Sequence, residues 1–261
     1  MVKSLVLYDK IYNVYKEEDK KEISIRYVKY LNELTQSFPN TKIRIKKLRQ
    51  FDNRFEVMLS GPEEVFILNM LKKKVGTIIE FNEVETGEIY KGVMLDVGKI
   101  GFGIFIDCAI LNPNVDVLLN LYDLRNQLCK GRSVPLTEII TAYDFIDRFP
   151  VYIKITSIDK EKEQIQGILD KQTLELYEKL IKENLEGVFM TGETKGQLKK
   201  ALVKTGHFRD IASIIRYGFL ENIVILRENT TAPGIIADIG KHLKNCKLNA
   251  IRPERIKKLF F

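Results

Sequence analysis

The segment of residues 91–124, KGVMLDVGKIGFGIFIDCAILNPNVDVLLNLYDL, limits the possible folds more than any other part of the chain. Side chains alternate between two faces from Val93 to Val97, a glycine ends that run, and a second run follows before a Pro-Asn loop. Gly101 and Gly103 interrupt the second run, and glycines inside a strand mark a bulge, a barrel corner or a close approach of two backbones. The segment therefore predicts three sharply coiled strands of a small β-barrel.

The order of these residues resembles the S1-type OB fold. The matching positions are Gly92-Val93, residues 102–106 and residues 118–124, and the closing hairpin is expected at residues 151–169. S1 domains bind single-stranded RNA by stacking bases on aromatic side chains over a basic groove. By position, Phe102, Phe105 and Asp159 match the family pattern. We expect base contacts from Phe102, Phe105, Asn120 and Tyr122.

The chain also departs from the S1 pattern at three positions. Asn120 replaces the family histidine, Gln164 replaces an arginine, and Val117 replaces a glycine. Each change removes a stacking or charged group, or a small residue, that the family has there. In the alternative interpretation Phe102 and Phe105 only fill the barrel, and strict alternation places them on opposite faces, so we expect at least one of them inside.

The net charge of +7 is unevenly distributed along the 261 residues. Residues 1–84 carry a net charge of +4, residues 85–170 carry −4, and residues 171–261 carry +7. A polyanion is therefore expected to approach the two flanking regions more readily than the barrel. The three ranges are the predicted domains of an α+β multidomain chain: an N-terminal α/β domain at residues 1–84, an S1-like OB barrel at 85–170 and a basic C-terminal α/β domain at 171–261.

The N-terminal region reads β-α-β-β-α-β, which suits a small α/β sandwich, with a ferredoxin-like arrangement as one possibility. The predicted elements are a strand at residues 4–12, a helix at 21–37, a hairpin at 42–49 and 54–60, a helix at 63–74, and a fourth strand at 76–81. In the hairpin Lys42, Arg44 and Lys46 alternate with isoleucines, which places three cations on one strand face. They are candidates for phosphate contacts; the alternative is an edge strand that its lysines protect from aggregation.

The C-terminal region predicts helices at residues 171–184, 195–204, 208–217 and 233–243, with strands at 187–190, 219–226 and 247–251. Thr194 and Gln197 fit a capping box at the start of the second helix. Lys199, Lys200 and Lys204 lie on its outer face, and Arg209 and Arg216 are expected to share a face of the next helix. These five cations predict a phosphate-binding surface, although a lysine-rich helix face is commonly just solvated.

A weaker candidate site lies just before the helix at residues 233–243. Thr230 and Thr231 can cap this helix and Gly234 permits close approach, so the free N–H groups at its start are a candidate anion site. The segment lacks both common phosphate-loop motifs, and an ordinary capped helix explains it equally well.

Other functional classes find little support in the sequence. Three widely spaced cysteines without a C-x-x-C pair and only two histidines argue against a disulfide scaffold or a metal site. We also expect no cofactor. We expect neither a membrane span nor a signal peptide, and therefore a cytoplasmic protein. No set of residues forms a catalytic motif, so an enzyme is open but less favoured than a binding protein.

The run of residues 194–243 resembles an archaeal family known as domain of unknown function 2110, most specifically at Arg209-Asp210-Ile211 and at residues 231–236. The order of an α/β domain, an OB-like middle and this C-terminal block extends the resemblance to the whole chain. The resemblance implies an archaeal housekeeping protein and no particular activity. Together these features predict a non-catalytic RNA- or ribonucleoprotein-binding protein of RNA metabolism or translation. The alternatives are a protein-interaction adaptor that uses the acidic barrel, and a nucleotide or phosphoester enzyme that uses Thr230 to Gly234.

Overall fold

The computed structural model describes residues 3–12, 16–243 and 245–259. The chain forms two compact units: the N-terminal unit extends to Ile78 and includes Gly218–Leu220, and the barrel unit comprises Ile79–Tyr217 and the chain from Glu221 onwards. In the described part of the chain, no helix combines the length and the apolar character that a membrane crossing requires.

The N-terminal unit packs two helices on a three-stranded antiparallel sheet in the order β1-β3-β2. Its elements are β1 (Lys3–Lys10), α1 (Glu17–Leu34), β2 (Lys42–Leu48), β3 (Arg54–Ser60) and α2 (Glu64–Lys74). Leu31, Phe55 and Ile67 are fully buried in its core. Burial of such apolar side chains stabilises each element, because their removal from water contributes about 1.5–3 kcal/mol apiece.

The predicted fourth strand of this sheet is wrong for the described residues. Thr77 forms only a single antiparallel bridge with Leu7. The next residues, β4 (Ile79–Glu80), pair in parallel with a strand of the barrel unit, so their backbone groups are already used there. The ferredoxin-like arrangement stays a prediction.

The barrel unit contains the predicted OB-like barrel. Its elements after β4 are β5 (Ile89–Leu95), β6 (Gly103–Leu111), β7 (Val115–Asn120), α3 (Leu121–Leu128), α4 (Leu136–Ala142), β8 (Pro150–Asp159) and β9 (Gln164–Leu169). Five strands close a ring in the order β5-β6-β7-β9-β8, in which the β7–β9 pairing is parallel and the other pairings are antiparallel. A closed five-stranded barrel with this crossover is the arrangement of an OB fold. The mixed α+β class with an OB-like middle is confirmed.

Two glycines let the barrel strands approach closely. A Cβ atom on Gly92 would lie 2.3 Å from Cγ2 of Ile106, and one on Gly103 would lie 2.4 Å from the carbonyl oxygen of Leu119. Both distances are far below normal contact, so no larger residue fits without movement of the neighbouring strand. The prediction that a glycine in this segment marks a close backbone approach is confirmed at Gly103.

The rest of the barrel unit is a four-stranded antiparallel sheet in the order β11-β12-β10-β13, with helices around it. The elements are α5 (Lys171–Glu183), β10 (Gly187–Thr191), α6 (Lys195–Lys204), β11 (Ile211–Arg216), β12 (Glu221–Leu226), α7 (Ala232–Ile239), β13 (Lys247–Ile251) and α8 (Pro253–Lys258). The capping box is confirmed, since the Thr194 side chain accepts from the Gln197 N–H and the Gln197 side chain accepts from the Thr194 N–H.

The helix predicted at residues 208–217 is wrong. A short 3-10 turn covers His207–Asp210, and the edge strand β11 follows. Ile211, Ile214 and Ile215 are β-branched, and the strand pairs with β12 from Ile211 to Arg216. The spacing of three between the first two isoleucines resembles a helical stripe, but strand pairing decides the local structure here.

The barrel and the C-terminal sheet share one hydrophobic core. The rings of Phe149 and Phe189 lie 4.9 Å apart between centroids. Beside them the buried carboxylate of Asp144 accepts hydrogen bonds from Arg255 at 3.0 Å and Arg252 at 3.4 Å. Burial raises the pKa of Asp144 in spite of these two arginines. The division of the chain at residues 84 and 170 remains a prediction.

Candidate nucleic-acid interface

A groove of about 570 Å³ lies on the outer face of the barrel, hereafter the barrel groove. Strands β6, β7 and β9 and the turn between β8 and β9 form its walls. The residues that line it include Phe102, Phe105, Leu118, Lys162, Gln164 and Gln166. In OB folds this face, made by the second and third strands and the adjacent loops, is the one that binds oligonucleotides and oligosaccharides.

Phe102 and Phe105 lie together in this groove. Phe102 is 57% exposed, Phe105 is half-buried, and their rings are perpendicular with centroids 6.4 Å apart. The expectation that one of them fills the barrel is therefore wrong. Phe102 precedes β6, and its carbonyl oxygen accepts from the N–H of Leu121, so strand alternation does not extend to it. Ile104 and Ile106 fill the interior instead.

Asn120 caps helix α3. Its Oδ1 accepts from the N–H of Asp123 at 2.9 Å, while its Nδ2 donates to the Asp123 carboxylate at 2.6 Å. A second, longer bond from Nδ2 reaches Gln166 at 3.4 Å. A base contact from Asn120 would compete with this cap. Tyr122 is 72% exposed on the first turn of α3, outside the set of residues that line the groove.

The barrel groove is poor in positive charge. Lys162 lies beside Glu163 and Asp116 in its lining. Lys162 also pairs with Asp159 at 3.4 Å. The N–H of Lys162, together with that of Glu161, bonds the Asp159 carboxylate and lowers its pKa. Lys162 is therefore the one cation among the described lining residues, which agrees with the negative net charge of this region.

The predicted cations of the N-terminal strand lie along β2, at the edge of the sheet. Lys42, Arg44 and Lys46 are all exposed. Lys46 Nζ lies 2.7 Å from Glu56, and this hydrogen bond lowers the pKa of the Glu56 carboxyl. Part of the expected phosphate stripe is therefore neutralised within the sheet.

The predicted cations of the C-terminal region belong to three different elements. Lys199, Lys200 and Lys204 are exposed on α6, whereas Arg209 is exposed on the 3-10 turn and Arg216 is half-buried at the end of β11. The expectation that the two arginines share a helix face is wrong, because residues between them form a strand. Lys195 Nζ donates to the carbonyl oxygen of Ile214 at 3.0 Å. Burial, followed by the charges of Arg216 and Lys199, lowers the pKa of Lys195.

The predicted anion site at Thr230, Thr231 and Gly234 already has a carboxylate of the chain beside it. Glu186 Oε2 accepts from the N–H of Ala232, the first residue of α7, at 2.5 Å. Thr231 stands at the N-cap position but makes no side-chain capping bond. An external anion would have to displace Glu186 from the helix N-terminus.

Sequence reasoning missed two arrangements. Gln164 and Gln166 face the barrel groove, and their alternation on β9 was a visible signal for this. His207 bridges Asp210 at 2.7 Å and Asp238 at 2.9 Å, and the distance in sequence to Asp238 gave no signal. The hydrogen bond to Asp210, and then that to Asp238, raises the pKa of His207.

Within the described ranges, no three His, Cys, Asp or Glu side chains form a metal-binding group.

Two family models match the chain. The DUF2110 central domain matches residues 84–180, and the DUF2110 C-terminal domain matches residues 186–251. Among curated proteins nothing matches.

Several solved structures are similar to part of the chain. The uncharacterized protein MJ1198 from Methanocaldococcus jannaschii is 23% identical over 34% of this chain and 95% of its own, with a TM-score of 0.23. GSP13 from Bacillus subtilis is 17% identical over 33% of this chain and 55% of its own, with a TM-score of 0.21. A chain of the a/eIF2alpha-aDim2p-rRNA complex from Pyrococcus horikoshii is 14% identical over 49% of this chain and 70% of its own, with a TM-score of 0.26.

Proposed function

The chain belongs to the DUF2110 family, and we propose that it binds single-stranded RNA, alone or within a ribonucleoprotein, without catalysing a reaction. The barrel groove is the observation that carries the proposal. It lies on the face that OB folds use for oligonucleotides, and it presents two perpendicular phenylalanine rings. Because every base has a π-face, such rings bind single strands with little sequence preference.

The lining of the barrel groove is poor in cations, so residues outside the groove must bind the phosphates of the RNA. We assign phosphate contacts to cations elsewhere on the chain, namely the exposed Lys42, Arg44, Lys199, Lys200, Lys204 and Arg209 and the half-buried Arg216. Each phosphate neutralised on a single strand makes log Kd steeper in log salt by about 0.7. The family resemblance favours archaeal RNA metabolism or translation, in the cytoplasm, as the setting of this activity.

The decisive variant is the double substitution Phe102→Ala and Phe105→Ala. Stacking on one ring contributes about 1–3 kcal/mol, so the loss of two rings should lower the affinity for a labelled oligouridylate of about 16 nucleotides by at least about 30-fold. Fluorescence anisotropy measures the affinity. Phe66→Ala is the matched control, since Phe66 is 58% exposed on α2, in the N-terminal unit. An unchanged affinity in the double variant would exclude the barrel groove as the RNA site.

A second candidate function is a protein adaptor whose acidic barrel region grips a basic partner. Asp116 and Glu163 in the groove lining favour it, together with the net charge of −4 over residues 85–170. A partner that co-purifies after nuclease treatment and is lost on Asp116→Asn would support this function over RNA binding. The nucleotide-enzyme alternative draws no support from Thr230, Thr231 and Gly234, because Glu186 occupies the helix N-terminus.

A further inference from the structure

A second groove, hereafter the N-terminal groove, lies within the N-terminal unit between the first half of α1 and the end of β2. Its volume is about 880 Å³. Four cations line it: Lys20 and Lys21 from α1, Lys47 from β2, and Arg49 just after that strand. Among the described residues, no aspartate or glutamate is part of this lining.

Local geometry brings these cations together. Ser24 lies four positions after Lys20, and Ile25 lies four positions after Lys21, which places these residues on neighbouring parts of one helix face. On β2 the pairing with β3 shifts between Ile45 and Lys47, so two consecutive lysines change the alternation there. The shift allows Lys47 to line the groove while Lys46 bonds Glu56.

Ion pairs engage two of the cations that line the groove. Arg49 lies 3.2 Å from Asp52, and Lys47 lies 3.6 Å from Glu56, which Lys46 approaches more closely at 2.7 Å. The lining itself holds four cations and, among the described residues, no carboxylate, which is an excess of positive charge on this surface. A concave surface with such an excess attracts polyanions.

An exposed aromatic ring lies beside Arg49, one of the cations that line this groove. Phe51 is 73% exposed, and the Arg49 guanidinium lies 4.2 Å from its ring centroid. The turn that holds it is well bonded: the Arg49 N–H donates to Arg54, the Asn53 N–H donates to Arg49, and the Ile11 N–H donates to Asn53. Phe51 is thus held in water by a fixed turn, next to a cation, as in surfaces that stack nucleic-acid bases.

We propose that the N-terminal groove binds the sugar–phosphate backbone of single-stranded RNA, with one base stacked on Phe51. This inference rests on the proposed function for the nature of the ligand, and it adds a second contact site. An acidic peptide would need the cations alone. RNA also accounts for the exposed ring and for the amides of Gln50 and Asn53 in the lining, which can bond base edges.

A charge-matched pair of triple variants tests the phosphate contacts in the full chain. The groove variant carries Lys20→Gln, Lys21→Gln and Lys47→Gln, and the control carries Lys72→Gln, Lys73→Gln and Lys74→Gln in the exposed last turn of α2. Anisotropy of the labelled oligouridylate is followed from about 50 to 200 mM salt. We expect the slope of log Kd against log salt to become shallower by about 2 in the groove variant, and to change much less in the control.

Phe51→Ala tests the stacking contact, again with Phe66→Ala as the control. We expect a loss of about 5-fold to 150-fold in affinity with an unchanged salt slope, because the ring carries no charge. Circular dichroism and thermal unfolding establish that each variant folds like the parent. If Phe51→Ala behaves like Phe66→Ala, the stacking part of the inference is wrong.

Different results would exclude RNA binding by the whole protein and RNA binding by the N-terminal groove. If the parent protein binds no oligouridylate, both fail. If Phe102→Ala with Phe105→Ala weakens binding while the two lysine triples have equal slopes, the barrel groove stands and the N-terminal groove does not bind RNA. Loss of polyglutamate binding in the groove triple, with unchanged RNA binding, would assign the groove to acidic protein segments and overturn the inference.

Discussion

The barrel groove and the N-terminal groove divide between them two properties that single-strand binding surfaces usually combine. The barrel groove has two phenylalanines and one lysine, within a region of net charge −4. The N-terminal groove has four cations in its lining and one exposed phenylalanine beside it. Stacking and phosphate neutralisation commonly occur in one continuous groove. Here affinity and salt dependence should respond to substitutions in different parts of the chain.

Gly103→Ala is expected to have the largest effect on stability and RNA binding, because it changes the shape of the barrel groove and leaves the N-terminal groove unchanged. The new Cβ would lie 2.4 Å from the Leu119 carbonyl oxygen, so β6 and β7 must move apart. We expect a loss of about 1–3 kcal/mol in the free energy of unfolding, measured with urea, and weaker stacking of RNA.

The matched control for Gly103→Ala is Gly101→Ala. No atom lies within 4 Å of a Cβ built on Gly101. Its stability should change by less than about 0.5 kcal/mol. The salt slope, which we assign in part to the N-terminal groove, should be the same in both variants. A change in that slope on Gly103→Ala would show that the two grooves are not separate in function.

Asp144→Ala tests how much the buried ion pair between the barrel region and the start of helix α8 stabilises the barrel unit. The substitution leaves Arg252 and Arg255 without their buried partner, and we expect a loss of about 2 kcal/mol in the free energy of unfolding. Asp144→Asn should be milder, because its oxygen still accepts from both arginines and asparagine tolerates the observed φ of 53°. Equal unfolding midpoints for the two variants would refute this role of the carboxylate.

Two substitutions of Asn120 distinguish its role as a helix cap from a possible role as a base contact. Asn120→Ala removes the cap of α3 and should cost about 1 kcal/mol in the free energy of unfolding. Asn120→Ser keeps a capping oxygen but lacks the amide. If Asn120 contacts RNA bases, the serine variant will bind oligouridylate more weakly at nearly normal stability; if it serves only as a cap, the serine variant will bind like the parent.

The smallest effect concerns His207, which belongs to neither groove. Its pKa is raised in the folded state, first by the hydrogen bond to Asp210, so its stabilising contribution is complete below the unfolded value of about 6.5. That contribution is lost as the pH rises through the raised pKa. The loss should stay below about 1 kcal/mol, as for other partly exposed pairs.

His207→Gln should remove this pH dependence from the unfolding midpoint between about pH 6 and 9. RNA affinity should follow the same pH profile in the variant and in the parent. A pH-dependent difference in RNA affinity between them would place a binding surface at His207, outside both grooves.

Where sequence interpretation succeeded, the signal was local. The barrel was visible in the alternation of residues 93–97 and in the glycines that follow. Thr194 and Gln197 marked the start of α6 because both partners of a capping box lie within one turn. Asn120 carried a similar local signal as a helix N-cap. Because of the resemblance to the S1 pattern, it was interpreted as a base contact instead.

Where interpretation failed, the deciding contact was distant in sequence. Residues 211–216 are a strand because β12 offers them a pairing partner, although their isoleucine spacing also suits a helix. Phe102 shares a groove with Phe105 because the chain bends before β6 and bonds to Leu121. Lys20 and Lys47 line the same groove only because α1 packs beside β2.

The resemblance to S1 domains supplied the closing hairpin of the barrel. By itself the sequence determined three coiled strands of a small barrel, a basic character outside it, and helices with defined caps. These follow from side-chain periodicity, glycine positions and short-range hydrogen bonds, which act over a few residues. Only the tertiary structure decided which aromatic and basic side chains share a surface. Strand pairing and helix packing bring together residues far apart in sequence, and no local pattern encodes those contacts.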